Sequence, residues 1–252
     1  MTEEIAAFRK TALAALAVLA AGFSGSAAAD DCQREGLFKN RPQAGGESPP
    51  VARYVSDGGQ VFVLDRSQGR PLLKFEGSFE VWALQPQPAP RGDVIYKNDL
   101  GEPVLRATRL GGVTLFTDDR PQGVAAALVG GGPTLRLAPI GPHALGESLL
   151  QASVRATRAA RHLIEFDVPN YTPAASALIA DAATVTSLAF GRIAQSRDGR
   201  QVLDRFRKVE LVEGRRPAAT VGGEVLRITV TPAQGLAGRP SSERIVKVAM
   251  GR

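Results

Sequence analysis

Short hydrophobic runs between residues 61 and 117 have the pattern of β-strands. Runs rich in β-branched and aromatic residues are separated there by short stretches of Gly, Ser and Asp. These runs predict strands at residues 61–64, 71–75, 79–84, 93–96, 104–108 and 112–117. Because the connections between them are short, we predict an antiparallel meander. The proline-rich residues 85–90 lack several backbone donors and are predicted to form an extended loop.

The hydrophobic period changes to that of a helix after residue 142. Apolar residues recur there at alternating steps of four and three, at Leu145, Leu149, Ala152, Ala156, Ala159 and Leu163. This stripe predicts a helix with one face in the core. A second helix is predicted to begin at Thr172, an N-cap residue followed by Pro173. Only two charged residues, Asp181 and Arg192, lie between positions 173 and 194, which predicts a central helix covered on more than one side.

Strand patterns return near the C-terminus, at residues 208–212, 225–231 and 244–249. The order of strands, helices and strands predicts an α+β fold, in which an antiparallel sheet packs against two helices and the last strands rejoin the sheet. We expect residues 51–252 to form a single domain. Residues 30–50 show no hydrophobic period and are predicted to be a flexible leader.

The first 29 residues have the pattern of an export signal. Arg9 and Lys10 precede the uncharged run 11–22, and Ala27-Ala28-Ala29 supplies an A-x-A cleavage site. Because that run has twelve residues, whereas a spanning helix needs roughly 20, cleavage is favoured over anchoring. The mature chain is therefore expected to begin at Asp30, to lie in the periplasm or outside the cell, and to have no transmembrane segment. Cys32 is the only cysteine, so no internal disulfide can form.

Positive charge is concentrated in the C-terminal part of the chain, where residues 155–252 hold 16 Lys and Arg against 9 Asp and Glu. Arg155, Arg158 and Arg161 lie three apart on the first predicted helix, roughly opposite its apolar stripe. They form a candidate face for an anionic partner. In an exported protein this partner would be an anionic envelope polymer, a lipid head group or an envelope protein rather than nucleic acid. A solvated helix face, and an arginine-rich composition of 25 Arg among 31 basic residues, are the alternatives to a binding role.

Few residues are arranged for catalysis. The chain has no G-x-S-x-G or S-x-x-K motif, phosphate loop or dinucleotide fingerprint, and therefore implies no cofactor. His143 and His162 are the only histidines, and both are placed near the ends of the first predicted helix. Glu165 and Asp167 could join His162 at a metal, but that set straddles a helix end and contains one histidine. A binding or structural role is therefore favoured over catalysis.

The alternative function is hydrolysis of a glycan beside Trp82. Glu76 and Glu80 lie close to this residue in sequence, and a strand over 79–84 would place Glu80 and Trp82 on one face. Asp93 or Asp99 could supply the second carboxylate. This hypothesis requires an open cleft beside Trp82 and two carboxyl groups roughly 5–9.5 Å apart. A single tryptophan in a strand is also commonly a core residue.

Three segments carry a resemblance to a known family: residues 73–82 (LKFEGSFEVW), 90–102 (PRGDVIYKNDLGE) and 112–117 (GVTLFT). They resemble an uncharacterised exported family of Gram-negative bacteria, a domain of unknown function. The resemblance extends over most of the mature chain, including residues 203–212 and 235–242. It implies export and a single domain, and it supplies no catalytic residues.

Overall fold

A nine-stranded antiparallel sheet forms the N-terminal half of the part of the protein that the computed structural model describes, residues 49–251. The strands are β1 (Val51–Ser56), β2 (Val61–Asp65), β3 (Leu72–Phe75), β4 (Val81–Ala83), β5 (Gln85–Pro88), β6 (Val94–Lys97), β7 (Pro103–Ala107), β8 (Val113–Thr117) and β9 (Arg120–Gly131). Their order is β4-β3-β2-β1-β9-β8-β7-β6-β5. The two edge strands, β4 and β5, follow one another in sequence and are joined by the single residue Leu84. The sheet therefore curls into a nearly closed barrel.

The interior of this barrel is filled by alternate residues of its strands, as the period of two requires. Buried side chains include Tyr54, Phe62, Leu64, Leu73, Leu105 and Leu115. In the register of the sheet, Phe62 lies directly between Tyr54 on one neighbouring strand and Phe75 on the other. The barrel thus has its own apolar core.

The C-terminal half consists of four α-helices and a second sheet among the described residues. The helices are α1 (Pro142–Ala160), α2 (Ser176–Gln195), α3 (Gly199–Leu203) and α4 (Ser242–Ala249). The strands are β10 (Glu165–Asp167), β11 (Lys208–Glu213), β12 (Ala218–Gly222) and β13 (Val225–Val230), in the order β10-β11-β13-β12. The pairs β10–β11 and β11–β13 are parallel, and β12–β13 is antiparallel. A second core lies between this sheet and the helices.

The α+β class and the antiparallel arrangement of the first sheet are confirmed. The prediction that the C-terminal strands rejoin that sheet is wrong, because β11 and β13 pair with each other in the second sheet. The two-helix layer is also wrong, since the described residues contain four α-helices. The predicted signal, and the predicted leader except for Pro49 and Pro50, lie outside the described residues.

The prediction of a strand over 244–249 is wrong, because these residues belong to α4. The side chain of Ser241 accepts a hydrogen bond from the Arg244 amide at 3.0 Å and so caps the helix. Ile245 and Ala249 are the buried apolar residues, and their spacing of four is helical.

The prediction of an extended loop over residues 85–90 is wrong for residues 85–88, which form strand β5. Its prolines are tolerated because β5 is an edge strand.

The predicted central helix is confirmed in α2, which is buried along most of its length. By length and composition alone, residues 173–195 could also cross a membrane, with a mean hydropathy of 1.4 over the most apolar window. Within the protein 61% of that window is buried. This burial is what a core helix requires, because its apolar surface then packs on α1, α4 and the second sheet.

Replacing Gly199 by Ala is expected to destabilise the protein by about 1–3 kcal/mol or more. A Cβ atom at this position would lie 1.7 Å from the carbonyl oxygen of Ile193, so the chain after α2 would have to move. The matched control is Gly146→Ala in α1, where no atom lies within 4 Å of the new Cβ. That change is expected to stabilise the protein by about 0.5–1 kcal/mol. Urea denaturation measures the free energy of unfolding of both variants. Equal changes in the two variants would contradict the close contact at Gly199.

Candidate functional site

An open cleft of about 530 Å³ lies at one end of the barrel, where the strand-connecting loops approach α2 and α4. Phe75 and Trp82, whose ring centroids are 6.0 Å apart, form an aromatic wall, and Phe116 also lines the cleft. The polar residues at its surface are Gln60, Asn98, Glu102, Thr117, Asp118, Arg192 and Glu243. With three carboxylates and one guanidinium, the cleft carries an excess of negative charge at neutral pH.

The aromatic wall continues a row of rings that begins inside the barrel. Tyr54 stacks on Phe62 with ring centroids 5.4 Å apart, and Phe62 contacts Phe75 at 6.0 Å. Phe75 in turn meets the edge of Trp82 at 6.0 Å, nearly at a right angle. Because the row rests on the barrel core, it holds the half-buried indole of Trp82 in a fixed position at the cleft.

Asn98 organises the polar side of the cleft. Its Nδ2 donates to Oε2 of Glu102 at 3.0 Å and to Oε2 of Glu243 at 2.9 Å. The two carboxylate oxygens are therefore within about 6 Å of each other. Its Oδ1 accepts from the backbone amides of Leu100 and Glu102, which fixes the turn between β6 and β7. The two donors of this buried amide thus hold the two carboxylates, and its oxygen holds the turn that carries Glu102.

Glu243 is the carboxylate with a perturbed ionisation in this cleft. Burial raises the pKa of its carboxyl above the usual value, while the charge of Arg192, whose Nη2 lies 3.4 Å from Oε1, lowers it in part. The negative charges of Glu102 and Glu80 add to the upward shift of the pKa. Because the folded-state pKa is raised, ionised Glu243 destabilises the fold at neutral pH, and this cost disappears as the pH falls through that pKa.

The Arg192→Met variant is expected to raise the pKa of Glu243 further, because it removes a positive charge that favours the carboxylate. The Glu102→Gln variant is expected to lower the pKa, because it removes a neighbouring negative charge. Titration of the Glu243 carboxyl carbon by nuclear magnetic resonance tests both directions. Shifts of the same sign in the two variants would contradict the arrangement.

A network of buried charges joins the barrel to α2 and α4 behind the cleft. The Arg239 side chain is 2% exposed, pairs with Asp181 of α2, and donates from Nη2 to the carbonyl oxygen of Val81 at 2.9 Å. Its Nη1 lies 3.8 Å from Oε1 of Glu80. Glu80 in turn accepts from the backbone amide of Ser242 at 2.8 Å. The first turn of α4, which carries Glu243, is therefore fixed relative to β4, which carries Trp82.

Of the predicted site residues, Trp82 lines this cleft, and none of the predicted carboxylates does. Trp82 also lines a second pocket of about 270 Å³, and there Asp99 lies with it. Glu76 is exposed and accepts from Nη2 of Arg53 at 2.8 and 2.9 Å. Glu80 is buried in the charge network, and neither Glu76 nor Glu80 lines the cleft.

The two candidate second carboxylates, Asp93 and Asp99, are likewise engaged in the fold. Asp93 accepts from Nε of Arg106 at 2.8 Å, and this hydrogen bond lowers the pKa of its carboxyl. Asp99 accepts from the Ser241 amide at 3.0 Å and from Nε of Arg244 at 3.1 Å. Both aspartates therefore have structural partners.

Sequence reasoning missed Glu102 and Glu243. They are 141 positions apart, and only the packing of the β6–β7 turn on α4 brings them together. Two local signals mark the segments involved: an Asn-Asp-Leu-Gly turn at 98–101 and a Ser-Ser-Glu helix start at 241–243. Neither signal reveals that the segments meet.

The three arginines of the predicted anionic-partner face do not share one exposed surface. Arg155 turns toward α2 and donates from Nε to the hydroxyl of Ser187 at 2.9 Å. Arg158 is exposed, and Arg161 is exposed just after the end of α1, in the left-handed conformation with φ of 64°. Only Arg158 and Arg161 therefore remain freely accessible.

The two histidines lie away from the cleft. His143 is exposed at the start of α1, 3.7 Å from Glu147. His162 is half-buried beside the carbonyl oxygens of Ala160 and Phe206. Within residues 49–251, no group of three or more His, Cys, Asp or Glu side chains has a geometry suited to a metal ion.

Comparison with known protein families assigns the chain to one of them. Residues 33–249 match the family described as Domain of unknown function (DUF4908). The chain belongs to this family. The match confirms the resemblance carried by residues 73–82, 90–102 and 112–117, all of which it includes. No curated protein and no solved structure matches the chain.

Proposed function

We propose that this DUF4908 protein is an exported envelope protein that binds a neutral glycan in the cleft beside Trp82. The observation that carries the proposal is the pairing of an aromatic wall with a fixed polar edge. A sugar ring has an apolar face that packs on aromatic rings and hydroxyl groups that donate to carboxylates. Phe75 and Trp82 provide the first surface, and Glu102 and Glu243 provide the second.

The charge of the cleft supports a neutral ligand over an anionic one. Glu102, Asp118 and Glu243 would repel a phosphate or a carboxylate, and Arg192 already contacts Glu243 and the hydroxyl of Ser242. An anionic envelope polymer or a protein partner, as expected from the arginines, would therefore use another surface.

Glycan hydrolysis is the second candidate function, and the Glu102–Glu243 pair is the observation that favours it. Their oxygens lie within about 6 Å of each other, near the carboxyl separation of roughly 5–5.5 Å in retaining glycosidases. A general acid must carry its proton at the working pH. Burial of Glu243 favours that state, whereas the donors Asn98 and Arg192 favour the carboxylate. Burial outweighs Arg192 and raises the pKa of Glu243 overall, so hydrolysis stays the second candidate function.

Screening of the purified protein against immobilised neutral and anionic glycans tests the proposal. A neutral glycan is expected to be retained and the Glu102→Ala variant to bind it about tenfold or more weakly, because a charged hydrogen bond contributes about 1.5–3 kcal/mol. The matched control is Asp119→Ala, an exposed carboxylate on the β8–β9 turn outside the cleft lining. Equal binding by the two variants, or retention of anionic glycans alone, would contradict the proposal. Release of reducing sugar ends from a bound glycan would favour hydrolysis.

Export is expected to remove the first 29 residues. N-terminal sequencing of the protein from the periplasmic fraction or the culture medium is expected to give Asp30 as the first residue. Recovery of the intact chain from the cytoplasm would contradict the predicted signal.

A further inference from the structure

The outward face of α1 exposes large apolar side chains. Leu150 and Val154 are four residues apart, share one face, and are 65% and 48% exposed. Leu145, Ala152 and Ala156 lie on the opposite, buried face of the same helix. The helix therefore has apolar residues on both faces. The residues on the outer face are not needed for packing, because the inner face alone contacts the core.

Leu163 adds a third apolar side chain beside this helix and is 62% exposed. The next residue, Ile164, is tied back to α1 because its amide donates to Oγ1 of Thr157 at 3.0 Å and its carbonyl accepts from Oγ of Ser153 at 2.6 Å. The sequence prediction that Leu163 faces the core is wrong, because α1 ends at Ala160 and the chain reverses direction at Arg161.

Positive charge borders these apolar residues at the C-terminal end of α1, whereas the exposed Glu147 lies one turn before Leu150. Arg158 and Arg161 are exposed, and neither forms an ion pair with any residue in the described range 49–251. Of the acidic groups near this end of α1, Asp167 is neutralised by Lys208 at 2.7 Å, and Glu165 is exposed. We call Leu150, Val154, Arg158, Arg161 and Leu163 together the α1 outer surface.

We propose that the α1 outer surface docks the protein on the face of a lipid bilayer rich in anionic phospholipids. Leucine and valine enter the head-group region of a bilayer, while arginines pair with lipid phosphates. The inference is independent of the glycan cleft, which lies between the barrel, α2 and α4.

The combination of side chains favours a bilayer over the other occupants. A soluble anionic polymer would engage Arg158 and Arg161 but would leave Leu150 and Val154 in water. A second copy of the chain would pair most simply through the adjacent edge strand β10. In an antiparallel pairing centred on Phe166, however, Glu165 would face Asp167 of the other copy, and like charges opposite each other are unfavourable.

Co-sedimentation with vesicles tests the docking surface, using phosphatidylcholine alone and phosphatidylcholine with about one third phosphatidylglycerol. The native protein is expected to sediment with the anionic vesicles at low salt. We expect roughly a tenfold or greater loss of bound protein in 0.5 M salt, because screening weakens the arginine contacts. Similar losses are expected for two double variants, Leu150→Ser with Val154→Ser and Arg158→Gln with Arg161→Gln.

Two control variants carry the same types of substitution outside the α1 outer surface. Leu110→Ser changes a leucine that is 88% exposed on the barrel, and Arg215→Gln with Arg216→Gln changes two exposed arginines between β11 and β12. Both controls are expected to bind anionic vesicles like the native protein. Equal loss in test and control variants, equal binding to both vesicle types, or no binding at low salt would overturn the proposal. A dimer that the Leu150→Ser and Val154→Ser changes dissociate would also overturn it and would assign the surface to self-association.

Discussion

The Arg239→Met variant is expected to unfold with a free energy about 3–5 kcal/mol lower than that of the native protein. Arg239 is buried between the barrel and α2, where it pairs with Asp181 and lies 3.8 Å from Glu80. Methionine fills much of the same volume but leaves both carboxylates without their cation. Removing one partner of a buried ion pair is costly because the remaining charge stays buried.

Urea denaturation followed by circular dichroism measures this loss. The control is Arg216→Met at an exposed position between β11 and β12, where a change within about 0.5 kcal/mol is expected. Arg239→Lys retains the charge but loses the planar set of donors, so an intermediate loss is expected. A loss below about 1 kcal/mol for Arg239→Met would show that the network does not hold the two halves together.

The second large effect is expected from Asn98→Asp, a change that barely alters the size of the side chain. The new carboxylate would lie against Glu102 and Glu243, and the two donated hydrogen bonds would be lost. We expect a loss of about 2–4 kcal/mol at pH 7, since unpaired buried groups cost about 1–3 kcal/mol each and more when charged. The loss should be smaller near pH 4, because protonation of the carboxyl groups relieves their repulsion.

Denaturation curves of this variant at several pH values test both the size and the sign of the effect. Asn170→Asp is the matched control, because Asn170 is exposed in the segment between β10 and α2. A destabilisation by Asn98→Asp that does not depend on pH would contradict the role of Asn98 as the donor shared by two carboxylates.

Runs of β-branched and aromatic residues predicted six of the nine barrel strands, β2, β3, β4, β6, β7 and β8. The burial pattern is clear in β2 and β8, where Phe62 and Leu115 lie in the core. Strand β1 was not predicted, although its residues 51–56 alternate between half-buried and buried. Strand β9 was missed because its residues 120–131 are mainly small, and glycine and alanine give little hydrophobic contrast. The helix α4 was mistaken for a strand because Ile245, Val246 and Val248 are β-branched, whereas its burial pattern and its Ser241 cap are helical.

The candidate site was predictable only in part. The alternative hypothesis of glycan hydrolysis named Trp82, and this residue lines the cleft. Glu102 and Glu243 could not be found from spacing, because they meet through the shared contact with Asn98. The same limit applies to Arg239 and Asp181, whose ion pair joins segments 58 positions apart. Local sequence rules describe turns and caps, but not which of them pack together.

The fluorescence of Trp82 tests the central claim most directly, because it is the only tryptophan of the chain. The protein would be titrated with a neutral oligosaccharide derived from the glycan retained in the screen, while the emission and its quenching by acrylamide are recorded. A ligand in the cleft is expected to shift the emission and to protect the indole saturably, with the affinity measured by calorimetry. The Glu102→Ala variant should show both changes only at about tenfold higher concentration. Calorimetric binding that leaves the emission and the quenching of Trp82 unchanged would contradict a glycan site in this cleft.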